Sequence, residues 1–83
     1  MLFMITQTHT PETCPIDSGG SSALINRDAE GITLKGRWGA WSRHVIWYLV
    51  ETDDLGAIQG FLDPGMTRCT TDIEPVSEAP IAR

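Results

Sequence analysis

Apolar residues fill six consecutive positions from Val45 to Val50, and polar Glu51-Thr52-Asp53-Asp54 follows before Leu55, Ile58, Phe61 and Leu62 recur at helical spacing. An unbroken apolar run of that length predicts a strand covered on both faces, and the spaced set predicts one stripe of a short helix. Asp53 is placed to accept hydrogen bonds from the first free amides of that helix, Asp54 favours the positive end of its dipole, and Pro64-Gly65 ends it. Gly56 and Gly60 each cost up to about 1 kcal/mol against alanine, so tertiary contact must hold the helix.

The remaining elements follow from the same patterning. Leu2–Thr8 has the apolar and β-branched content of a strand, and Pro11 stops further pairing. Residues 13–22 are rich in turn formers, and residues 23–28 allow at most a turn or two, so the first helix is short or irregular. Residues 32–38 alternate Ile32, Leu34, Gly36 and Trp38 against Thr33, Lys35 and Arg37, which predicts a half-buried strand with the first four on one face. Residues 39–42 fit a hairpin loop leading into the strand that begins at Arg43. Residues 67–76 form an extended segment whose Pro75 suits an edge. Residues 1–76 make a single domain and 77–83 a loose tail.

The order βαββαβ predicts an α+β protein, the ferredoxin-like split βαβ arrangement, with a four-stranded antiparallel sheet in the order 4-1-3-2. Both helices then lie on one sheet face and the other stays open. Exposing several of Phe3, Ile5, Ile46, Tyr48 and Val50 on a monomer would leave an apolar patch of several hundred Å², the kind that marks an interface. A second copy packing sheet to sheet, as a dimeric α/β barrel, is the simplest cover.

Composition narrows the partners. The 83 residues carry 11 acidic against 6 basic side chains, a net charge of −5, so the field repels phosphate backbones and anionic lipid. Neither nucleic acid nor membrane is an expected partner, and Arg37 and Arg43 read as a solvated edge. No apolar run approaches the roughly 18 residues a membrane helix needs. Cys14 and Cys69 belong to no CxxC or zinc-finger spacing, and the start of the chain has no basic leader, so the cytoplasm is the expected location. A chain this short buries only about 60 to 65% of its unfolded surface, which limits the core.

Chemistry concentrates at one predicted end of the sheet. If the first and third strands are antiparallel neighbours, His9 at the end of one approaches His44 at the start of the other, with Arg68 and Cys69 arriving nearby. Imidazoles titrate near neutrality, so His9 and His44 are the candidates for general acid/base work, and Gln7, Tyr48 and Arg68 for binding or orienting a ligand. The blander alternative, two histidines closing strand ends at a wet rim, carries more weight. A metal variant would recruit His9, His44 and either Cys14 or Cys69, but no close His-x-His pairing supports it, and no metal or cofactor is expected. Glu51, Asp53 and Asp54 are explained by the helix start. Trp38, Trp41 and Trp47 fit a core or interface better than an aromatic wall for a planar ligand, with Trp38 and Trp47 kept as ligand-binding candidates. GxGxxG, GxxxxGK[ST], GxSxG and HExxH are all absent.

The runs His9-Thr10-Pro11-Glu12, Gly36-Arg37-Trp38, Val50-Glu51-Thr52-Asp53-Asp54 and Glu74-Pro75-Val76 resemble a bacterial family of domains of unknown function in the dimeric α/β-barrel superfamily. In outline the chain is similar to the antibiotic-biosynthesis monooxygenase, muconolactone isomerase and EthD groups. That resemblance implies dimerisation through the sheets and an organic ligand held between sheet and helices. No catalytic motif of those groups is present, and their first helix is typically longer than residues 14–31 allow. Two functions remain open: a small homodimeric module binding an apolar or aromatic molecule, and a cofactor-independent isomerase or monooxygenase working through His9 or His44. The first is favoured, because an enzyme also needs a group to stabilise developing charge.

Overall fold

The strands β1 (Leu2–Thr8), β2 (Thr33–Ala40), β3 (Val45–Glu51) and β4 (Thr70–Val76) form one antiparallel sheet in the order β2-β3-β1-β4. The structure is a computed structural model describing residues 1–77, so most of the expected 77–83 tail lies outside the described residues. Strand order and the α+β, ferredoxin-like pattern agree with the sequence reading. The first connection contains no α-helix: it makes two 3₁₀ turns, Pro15–Asp17 and Gly20–Leu24, joined through Gly19 at φ 106° and Gly20 at φ 68°. Left-handed backbone at consecutive positions breaks any continuing helix, and glycine adopts it without penalty.

Among the described residues the one α-helix is α1 (Leu55–Leu62), and its cap lies one residue later than expected. Asp54 is the residue in extended conformation at the cap, and its carboxylate accepts from the Gly56 amide at 2.8 Å. Asp53 lies outside the helix and pairs with the Met1 amine at 3.0 Å. The buried Thr52 hydroxyl donates to the Gly31 carbonyl at 2.6 Å and accepts from the Asp54 amide at 3.1 Å, tying the turn before β2 to the start of α1.

Period-two alternation along β1 and β3 sorts the apolar residues onto two faces. Phe3, Ile5, Ile46, Tyr48 and Val50 lie on the covered face and pack with Leu24, Ile25, Ile58, Phe61 and Leu62 into one core. These five strand residues were the expected open-face patch, and that assignment is corrected: the open face is built from Met4, Trp47 and Leu49, with Leu2 and Val45 at its ends. Both faces of β3 are apolar, as the unbroken run implied, but the helix took the opposite one.

β2 departs from its simple alternation. Leu34 faces Val50 and Gly36 faces Leu49, so Lys35 is an extra residue and the register shifts there. One inserted residue inverts every later side chain. Trp38 therefore leaves the face of Leu34 and pairs with Trp47 on the open side, while Arg37 turns onto the covered side opposite Tyr48. Trp38 is 55% exposed, and its ring lies over Gly36, where a Cβ would collide with the indole.

Candidate functional site

At the end of the sheet where β1 finishes and β3 begins, the 3₁₀ turns overhang the covered face and leave a cleft of about 740 Å³. Pro11, Ile16, Val45 and Ile46 make its apolar walls, His9, Cys14 and His44 gather in it, and Arg37 and Trp38 stand on the β2 side. Arg37 Nη1 donates to Ser22 Oγ at 3.2 Å, linking β2 to the second 3₁₀ turn.

The histidine pair is positioned by the backbone. The His9 amide donates to the His44 carbonyl at 3.0 Å, extending the β1–β3 ladder by one bond beyond Thr8 and Val45. His44 sits at φ 56°, the left-handed region, where histidine is among the less disfavoured non-glycine residues. The two rings meet edge to face, with centroids 5.1 Å apart. His9 Nδ1 and His44 Nδ1 are both buried without a hydrogen-bond partner. Burial, reinforced by the charges of His44 and Arg68, holds the His9 imidazole below the ordinary histidine value, favouring its neutral form.

Of the residues the sequence pointed to, His9 and His44 converge as expected. Arg68 is close enough for its charge to act on His9. Gln7 and Tyr48 are placed elsewhere: both are fully buried in the core, where the Tyr48 hydroxyl donates to Gln7 Oε1 at 2.8 Å and Gln7 Nε2 reaches the Leu24 carbonyl at 3.5 Å. Neither lines the cleft. Trp38 borders it and, on the open face, also lines a shallower hollow with Trp47, Met4, Thr6 and Glu74. Cys69 packs against the core, and burial pushes its thiol up.

Arg37, Ile16 and the proline walls were not read as site residues. Arg37 faces the cleft only because of the register shift at Lys35, for which Gly36 inside the strand pattern was the available signal. Pro11 and Pro15 carried a signal, since two rigid residues bracketing a cysteine beside a strand end shape a fixed loop.

A family described as a domain of unknown function, DUF3303, matches residues 1–81. The chain belongs to the DUF3303 family. No curated protein and no solved structure matches it. Within this DUF3303 chain both cysteines are free, and among the described residues no helix is long and apolar enough to cross a membrane.

Proposed function

We propose that this DUF3303 protein is a small homodimeric binding module of the dimeric α/β-barrel type, acting in the cytoplasm on an apolar or aromatic small molecule. The cleft carries this reading: an apolar concavity of about 740 Å³ meeting a few convergent polar groups at one end is the usual form of a small-molecule site. The unpartnered imidazole nitrogens supply orientation, and Pro11, Ile16 and Ile46 supply the apolar walls. An enzymatic role would draw its charge-stabilising group from Gln7, Tyr48 or Arg68, and two of these are taken up in the core: the Tyr48 hydroxyl donates to Gln7 Oε1, and Gln7 Nε2 donates to the Leu24 carbonyl.

A second copy of the chain is the occupant proposed for the open face. Among the described residues, α1 and the first connection both pack on the covered side, leaving Met4, Trp38, Trp47 and Leu49 without cover. A twofold axis lets one such patch cover its own copy. Two free cysteines support a reducing compartment.

The test is a titration with 1-naphthol followed by tryptophan fluorescence, with native mass spectrometry of the purified chain. Saturable binding at one site per chain, weakened by Ile16→Ser, is expected; absence of saturation sinks the binding reading. Separately, Trp47→Glu should convert a dimer to a monomer, and a wild-type chain that stays at 9.1 kDa at every concentration removes the dimer.

A further inference from the structure

His9, Cys14 and His44 each bring one ligand-type atom into a cluster whose atoms all lie within 4.8 Å of one another. We propose that these three side chains bind a zinc-class cation, with the fourth coordination position open to the cleft. The inference does not rest on an organic ligand occupying that cleft.

The donor set selects the metal class. Two imidazoles with one thiolate suit zinc or a neighbouring borderline ion and suit magnesium and calcium poorly, since those demand oxygen. With metal bonds of about 2.0 to 2.3 Å, tetrahedral ligand atoms sit roughly 3.3 to 3.8 Å apart, so the cluster need contract by only about 1 Å. A change of χ1 rotamer at Cys14, which lies outside the sheet ladder, can shift its Sγ by that much without moving the loop.

Two further observations point to a ligand. A buried polar nitrogen without a partner costs free energy, and here two of them, His9 Nδ1 and His44 Nδ1, occur in adjacent rings. The backbone itself brings them together, through the 3.0 Å His9 to His44 hydrogen bond and the left-handed conformation of His44. Local strain of this kind persists only where surrounding structure enforces it, and it clusters at binding sites.

The purified 83-residue chain, stripped with chelator, is titrated with Co²⁺ and then Zn²⁺. One Co²⁺ per chain should bind, with d–d bands of tetrahedral intensity and a thiolate-to-cobalt charge-transfer band, and Zn²⁺ should displace it and raise the melting temperature. Cys14→Ser should abolish the charge-transfer band, and His44→Asn, which tolerates left-handed backbone, should weaken binding by more than about 100-fold, beyond what outer-shell changes alone cause. Cys69→Ser should keep the wild-type spectrum. Each variant is matched to wild type by circular dichroism. Should His44→Asn fail to fold, wild-type stoichiometry and the Cys14→Ser spectrum decide. No stoichiometric binding, an octahedral spectrum without charge transfer, or a band that survives Cys14→Ser overturns the site.

Discussion

Tyr48 on β3 donates its hydroxyl hydrogen to Gln7 on β1 at 2.8 Å, and both side chains are sealed from solvent. The two residues are diagonal neighbours on the covered face, two register positions apart, Tyr48 opposite Ile5 and Gln7 opposite Ile46. Removing one partner leaves the other buried and unsatisfied, which costs about 1 to 3 kcal/mol. Tyr48→Phe and Gln7→Leu should each lower stability by that amount in urea unfolding. The double variant should cost less than the sum, and full additivity would show that the bond contributes no coupling.

Burial pushes the Tyr48 hydroxyl from 10.0 up to about 12, outweighing the opposing pull of Arg37. Its contribution is fully present below 10.0. Between 10.0 and about 12 the unfolded chain releases a proton that the folded chain keeps, so stability falls as pH rises through that interval. Cys69, whose thiol is also pushed up, adds loss of the same sign. The alkaline slope of the denaturation midpoint should be shallower in Tyr48→Phe, and an unchanged slope would remove Tyr48 as its source.

Gly65 ends the 3₁₀ turn Asp63–Gly65 against the core, where a Cβ would sit 2.7 Å from the Leu24 carbonyl oxygen and 3.0 Å from Gln7 Nε2. A backbone oxygen at that distance cannot swing aside. Gly65→Ala should destabilise by about 1 to 3 kcal/mol, lowering the melting temperature by roughly 4 °C or more. A melting temperature equal to wild type would mean that the turn shifts freely.

Gly36 presents the milder case, because its obstacle is the exposed end of the Trp38 side chain. Gly36→Ala should swing the indole off the strand with little loss of stability, since an exposed side chain can change rotamer. Tryptophan emission and quenching by acrylamide should report the move; an unaltered spectrum would show that the ring stays put.

The meeting of His9 and His44 was legible because antiparallel pairing of two well-marked strands brings the end of one to the start of the other. The Lys35 register shift was missed: Gly36 within an alternating strand can mark a bulge but equally a plain weak point, and here the bulge sends Trp38 to the open face and Arg37 to the cleft. The helix cap moved from Asp53 to Asp54 because adjacent acids differ only in which adopts the extended cap conformation.

Element order, strand count and sheet topology lay within reach of the hydrophobic pattern, because period and turn chemistry are local and few topologies accommodate that order. Which apolar face of β3 the helix would cover was not, since Val45, Trp47 and Leu49 bury as favourably as Ile46, Tyr48 and Val50. Packing broke that symmetry. The covered face is the one where Gln7 finds a hydroxyl and Phe61 meets the Tyr48 ring edge-on at 5.7 Å. The grouping of Cys14 with the two histidines is likewise tertiary, because the path of residues 10–24 depends on left-handed glycines and close packing rather than on any periodic signal.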